Sequence, residues 1–312
     1  MTTTKTSLPN RFTGCISTIL LVSLMATGCS IKKVATNAMA DAIAQSGSSY
    51  AGDNDIEFVG QATPFGLKTM EGILEETPEH RGLLLAATRG FTQYAYVYIE
   101  QPANEIELSD VTLAYQQRNR ARLMYLRARD YGLRGLEAAH PGITSGIRSD
   151  PEKVLPETSV EDVPLLYWTA ASWASSISLS KDDPTAIADL PTVEALIKRA
   201  LLLDEAFERG AVHIFLISYE MSQSGLREGA EERARAHFNR ALALSGGLQA
   251  APYVTHAEAI SIANNNKQEY RRMLQAALAV DIDADPQNRL ANLVMQRRAR
   301  WLLNNQDLYF LE

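Results

Sequence analysis

Ala121-Arg122-Leu123-Met124-Tyr125-Leu126-Arg127-Ala128 and Ala234-Arg235-Ala236-His237-Phe238-Asn239-Arg240-Ala241 share one spacing. Each carries a small residue, a large one four positions later, and alanine three after that. Positions i, i+4 and i+7 lie on one face of an α-helix. A small residue lets a neighbouring helix approach closely, and the large one fills the gap beside it. Two such faces in one chain predict stacked helix pairs over a loosely assembled bundle.

Looser copies occur at Val193, Ile197 and Ala200, and at Tyr270, Leu274 and Ala277. Gly66, Met70 and Ile73, closed by Pro78, form an earlier half-repeat. The pattern is that of the second helix of a tetratricopeptide repeat. Partner first helices follow at 81–99, 165–179, 208–222 and 252–263. A last helix is expected over 286–303, with Asp285 as N-cap and Pro286 at its first position. Residues 140–162 form a long insertion in the second repeat. No Asn-Gly hairpin joins two alternating apolar runs, so strands are not expected. The expected fold is all-α: a tetratricopeptide-like helix-pair superhelix of about four repeats plus a terminal helix.

The segment before this domain reads differently. Lys5 and Arg11 make a positive start, Ile16 to Met25 a short apolar run, and Gly28-Cys29 a small-residue cleavage site followed by a cysteine that can take lipid. Such a run is too short to span a bilayer as a mature helix. The expected organisation is a lipoprotein signal over 1–28, a flexible tether over 29–54 containing Ser46-Gly47-Ser48-Ser49, and the helical domain over 55–312. Lipidation of Cys29 would anchor the chain on the periplasmic side of the envelope. Ser30 after the cysteine favours the outer membrane over the inner.

Composition removes several function classes. The chain has two cysteines, Cys15 in the signal and Cys29 at the lipid site. The mature chain would then have no disulfide, redox CxxC or cysteine-held metal. Its formal charge is −7, and loss of Lys5 and Arg11 makes it more negative. An acidic chain is a poor partner for nucleic acid. Five histidines form no HExxH or paired metal spacing. Asp281, Asp283 and Asp285 mimic the start of a calcium loop, but Pro286 stands at the turn glycine and Asn292 at the final glutamate, so a turn is expected. No phosphate-binding glycine loop exists. Neither catalysis, a metal nor a cofactor is expected. Arg118, Arg120, Arg122, Arg127, Arg129 and Arg134 load one helix, and a solvated face with local carboxylate pairs is the reading of that run.

The stretch Gly82-Leu83-Leu84-Leu85-Ala86-Ala87-Thr88-Arg89-Gly90-Phe91-Thr92-Gln93-Tyr94-Ala95-Tyr96 resembles the signature of the TatT family, tetratricopeptide lipoproteins associated with TRAP transporters. Tyr167-Trp168 with Trp173, Pro252 through Glu258, Asn288 through Asn292 and Arg298 through Leu303 are similar to it as well. The resemblance implies a periplasmic partner of a TRAP solute-binding protein, a homo-oligomer such as a trimer, and a central cavity or pore. It names no ligand.

Placing Arg81 at the first position of the repeat frame puts Arg89, Thr92 and Gln93 on the concave face. The same frame adds Trp173 and Ser176, Tyr219 and Glu220, Tyr253, and Arg289 and Gln296. Aromatic, amide and guanidinium groups together suit a peptide segment or a small hydrophobic or amphiphilic ligand with a carboxylate. Arg89 is the residue expected to hold that carboxylate, unless it forms an ion pair with Glu220 or Glu258. Trp168 is expected in the core. The leading expectation is an accessory lipoprotein that holds or delivers a ligand beside a TRAP solute-binding protein. The second is a scaffold lipoprotein for envelope or outer-membrane assembly that grips protein segments in the same groove.

Overall fold

The computed structural model describes residues 1–3, 32–223, 225 and 228–310. Cys29 and the rest of the expected signal lie outside the described residues. All regular structure among the described residues is helical. Helix α1 covers residues 32–45. It is followed by α2 (Gly47–Ala51), α3 (Ile56–Glu76) and α4 (Arg81–Ala95), then a π-helical turn at Tyr96–Glu100, α5 (Gln101–Ile106) and the long α6 (Val111–Ala139). The insertion holds α7 (Ile143–Ser149) and α8 (Pro151–Val154). Next come α9 (Val163–Ser178), α10 (Pro184–Ile187), α11 (Leu190–Leu203), α12 (Ala211–Ser222) and α13 (Ala230–Ser245). The chain ends with α14 (Ala251–His256), a second π turn at Ala257–Ser261, α15 (Lys267–Leu278) and α16 (Arg289–Asn304).

Side chains close the helix starts where the sequence supplies them. Asp55 accepts from Phe58 N at 2.9 Å, Asp110 from Leu113 N at 2.9 Å and Asn266 from Glu269 N at 2.9 Å. Each satisfies a backbone N–H that the first helical turn cannot.

The small–large–alanine faces are what the helices bury. Ala121, Tyr125 and Ala128 are fully enclosed, as are Val193, Ile197, Ala200, Tyr270, Leu274 and Ala277. Ala234 and Ala241 are also enclosed, and Phe238 nearly so. α4, α6 and α9 meet at Gly132. A Cβ on that glycine would collide with the Thr169 hydroxyl and lie 3.2 Å from Thr88 Cγ2. The core runs through the stack in segments: Leu67, Leu83, Leu84 and Phe91 under α3 and α4, Leu166, Trp173, Ile197 and Leu216 in the middle, and Tyr270, Leu274 and Leu302 at the end.

The insertion is part of this core, since Ile143, Ile147 and Leu155 pack into the middle segment. The tether expectation fails from residue 32 onward. Ala40 is fully buried in the first core segment with Ile43 beside it, Lys32 pairs with Glu76 at 2.9 Å, and His80 contacts Asp41 at 3.1 Å. An apolar edge on an otherwise polar helix is enough to dock it. α12 starts three residues later than expected, because Glu208, Arg209 and Gly210 all take positive φ (44°, 58° and 97°). The last helix also starts later: Pro286–Asn288 is a 3-10 turn, and Asp285 binds Arg209 at 2.7 Å instead of capping.

The array closes on itself. α16 comes back to the first helices, where Arg289 Nη1 donates to Gly52 O at 3.0 Å. Arg297 Nη2 donates to Val97 O at 3.1 Å, and Arg297 pairs with Glu57 at 3.4 Å. The arginine run on α6 is held as expected: Arg118 pairs with Glu107, Arg127 with Glu71 at 3.5 Å and Arg129 with Asp130 at 2.7 Å.

Candidate solute cleft

Both π turns sit where the closed array narrows. In each, a backbone N–H reaches five residues back: Gln101 N to Tyr96 O, and Ile262 N to Ala257 O at 3.2 Å. The first has a cause in the sequence. Pro102 has no N–H to give Tyr98 O, and its ring would strike that carbonyl in a regular helix. Widening the turn removes the clash. A π turn also adds a residue to the helical count, so side chains beyond it point about one position away from their α-helical direction. Such turns are rare and concentrate at functional sites.

Between the two π turns lies a polar cleft of about 260 Å³. Tyr96, Glu100, Gln101 and Asn104 form one wall; Ser218 of α12, Thr255 of α14, Glu258 of the second π turn and Arg298 of α16 form the others. It shares Asn104, Glu258 and Arg298 with a wider outer space of about 530 Å³, whose wall adds Leu108, Ile262, Trp301, Leu308 and Tyr309. The inner end is therefore polar and the outer end largely apolar.

Arg298 is buried and binds Glu258 Oε1 through Nε at 3.1 Å and Nη2 at 2.6 Å. Its guanidinium lies 4.8 Å from the Trp301 ring centre. Its Nη1 is enclosed beside Tyr309 without a hydrogen bond. Glu100 accepts a hydrogen bond from the Tyr125 hydroxyl. Burial pushes its carboxyl above the ordinary range, and the Glu258 charge adds to that, while Tyr125 and Arg298 pull the other way. Burial likewise pushes the Tyr96 phenol up. Gln101 is 1% exposed, yet neither amide atom makes a hydrogen bond.

A family model, the TRAP transporter T-component, matches residues 52–310. The chain belongs to this family. It is also 29% identical, over 310 residues, to an uncharacterized protein of Treponema pallidum (strain Nichols), covering 93% of this chain and 95% of that one. T-component membership ties the chain to a TRAP transport system in the cell envelope, as an accessory of transport rather than a member of an enzyme class. No helix among the described residues is long and apolar enough to cross a membrane.

The T-component cleft is not made of the residues that the repeat frame selected. None of those ten lines either space. Arg89 pairs with Glu208 and stacks 5.4 Å over Trp168. Neither expected partner takes it, because Glu220 pairs with Arg233 at 2.8 Å and Glu258 with Arg298. Glu208 keeps a third of its side chain exposed, yet desolvation raises its pKa, as expected for a group lining a concave wall. Thr92 and Ser176 are buried and bond the carbonyls of Thr88 and Trp173 at 2.7 Å, and Gln93 is exposed. Trp173 is core, its indole N–H donating to Asp189 at 3.1 Å. Tyr219 packs on Phe215, and Tyr253 edges onto Phe238. Arg289 ties α16 to Gly52, while Gln296 caps α15 by donating to Val280 O at 2.8 Å and to Ala277 O and Leu278 O.

Trp168 is core as expected, 8% exposed. His256, Ser261 and Glu269 do converge, with Ser261 Oγ 3.3 Å from His256 Nδ1. That serine is fully enclosed, so no substrate can reach it. The cleft residues lay within reach of the frame: Ser218, Thr255 and Arg298 are one or two positions from Tyr219, Tyr253 and Gln296. A signal was present in Glu100-Gln101-Pro102, two polar groups and a helix breaker directly after an apolar helix.

Proposed function

We propose that this chain is the lipid-anchored T-component of a TRAP system, attached through Cys29 on the periplasmic side of the envelope, with the outer membrane as its site. In this reading it binds the system's solute-binding protein and works as a homo-oligomer. A small solute occupies the cleft between the π turns, its polar end inward and any apolar portion along Ile262 and Trp301. The observation that carries the reading is the family match over 52–310 together with a cleft whose walls come from both ends of the closed array. A cleft of about 260 Å³ with convergent polar groups suits a small molecule, and its apolar extension adds room for a short tail.

The test is capture of partners from solubilised membranes by the tagged full chain, with native mass spectrometry of what remains bound. Recovery of a TRAP solute-binding protein and a small molecule supports the proposal. Recovery of outer-membrane assembly proteins, with neither a solute-binding protein nor a small molecule, would replace it with the scaffold reading.

A further inference from the structure

We infer that the cleft receives an organic ammonium, with the charged nitrogen seated between Glu100 and Glu258 and an apolar segment running outward past Ile262 and Trp301. This rests on the reading that the cleft holds a solute.

The charged groups of the inner cleft are Glu100, Glu258 and Arg298. The one cation among them is committed. Nε and Nη2 of Arg298 both bind Glu258 Oε1, and Nη1 is enclosed beside Tyr309. No guanidinium edge is offered to a ligand. The acids are less fully engaged. Both bonds from Arg298 fall on Glu258 Oε1 and neither on Oε2, and the Glu258 side chain stays 31% exposed. Glu100 has only the Tyr125 hydroxyl as a printed partner, on Oε2. The inner wall thus carries one negative charge more than it neutralises when both acids are ionised.

Two acids alone would not define a site. Gln101 is the independent observation. It is 1% exposed, lines the same cleft, and has neither amide atom hydrogen-bonded. Buried amides are rarely left without partners. Its Oε1 is a third acceptor beside the two carboxylates, and an ammonium N–H is the donor that suits all three. Thr255 and Ser218 complete the polar wall.

Charge decides between ligand classes. A carboxylate would bring a third negative group against Glu100 and Glu258 with no free cation to meet it. A neutral alcohol could hydrogen-bond but would leave Glu100 unneutralised in a desolvated place. An ammonium neutralises it. The outer wall of Leu108, Ile262, Trp301 and Leu308 then covers an alkyl chain.

The test uses three probes of one shape: n-hexylammonium, 1-hexanol and hexanoate, titrated calorimetrically into the purified full chain. The amine should bind at least about tenfold tighter than the other two, since only it pairs with the buried carboxylates. Glu100→Gln keeps the acceptor for Tyr125 and should remove that preference while leaving hexanol unchanged. Gln101→Met, of similar size, should weaken the amine through loss of the third acceptor. Ionised Glu100 is the binding form, so amine binding should release protons at mildly acidic pH, seen as a dependence of the heat on buffer ionisation enthalpy. Hexanoate binding as tightly as the amine, or equal amine affinity in Glu100→Gln, would overturn the ammonium class and leave the cleft a solute site. Failure of all three probes to bind would overturn both readings.

Discussion

Gly132→Ala should destabilise the domain, although alanine is the better helix former. Gly132 lies inside α6, where replacement by alanine ordinarily contributes about 1 kcal/mol through helix propensity. Here the new methyl would enter the meeting point of three helices. It would strike the Thr169 hydroxyl of α9 and lie 3.1 Å from Thr169 Cβ and 3.2 Å from Thr88 Cγ2 of α4. All three residues are buried, and Thr169 is fully enclosed, so neither side can swing away. Overpacking of this kind costs about 1–3 kcal/mol or more, which exceeds the propensity gain. The expected net loss is about 1–2 kcal/mol, a fall in Tm of roughly 2–8 °C for a domain of this size. Gly72 supplies the control. It lies inside α3 with nothing within 4 Å of a built Cβ, so Gly72→Ala should raise stability by up to about 1 kcal/mol. Thr169→Ala removes the hydroxyl that collides. Its Oγ1 has no hydrogen-bond partner, so its loss alone should cost little. Combined with Gly132→Ala, it should restore much of the lost stability. Urea denaturation of the four proteins measures each term. A Gly132→Ala variant as stable as the parent, or a double variant no better than the single one, would refute close stacking of α4, α6 and α9.

Three further outcomes follow from the same structure. Arg89→Ala should lower stability by about 1–2 kcal/mol, the sum of a half-exposed ion pair with Glu208 and a stack on Trp168. It should leave binding in the cleft unchanged, because Arg89 does not line it; urea melts and a ligand titration on one preparation check both, and lysine should rescue poorly for want of a planar fork. For Glu100, a folded-state pKa raised above the unfolded value favours the protonated carboxyl. Its contribution is therefore full below the unfolded pKa and is lost as pH rises through the folded one. Glu100→Gln should gain stability relative to the parent between pH 4 and pH 8 by about 1.4 kcal/mol for each unit of that elevation, and parallel denaturation curves across the range would contradict it. Cys29→Ser should abolish labelling by a palmitate analogue and release the chain from membranes, and persistent labelling would end the anchor proposal.

The packing code was legible because it is local. A small residue, a large one and an alanine on one helical face state which side must be buried, and Ala121, Tyr125 and Ala128 or Val193, Ile197 and Ala200 are buried as that spacing requires. The caps at Asp55, Asp110 and Asn266 are local as well. What needed three dimensions was missed. Arg89 was readable as a charge among apolar residues that must have a partner, but its partner sits 119 residues away on a three-residue run of positive φ. Glu208 becomes available there only because the chain bends at that point. Nor does anything in the alternation of small and polar residues over 32–51 announce that Ala40 and Ile43 dock against α3 and α4.

The candidate site was displaced for a more specific reason. A repeat frame extrapolates the α-helical angle, and a π turn breaks that angle. Past Tyr96 the direction is set by the widened turn, so Glu100 and Gln101 face the cleft while Gln93, before the turn, faces solvent. The first turn could be foreseen from Pro102, which removes the N–H that Tyr98 O would receive. The second, at Ala257–Ser261, precedes no proline and has no comparable signal. Yet it places Glu258 against Arg298. Both turns therefore lie at the polar end of the cleft, and the helical error that defeats the sequence frame is the geometry that brings carboxylates from opposite ends of the array into one wall. A T-component built from regular helices alone would present the positions that the frame selected. Those positions are occupied here by an ion pair, buried hydroxyls and a helix cap, groups whose partners lie within the fold.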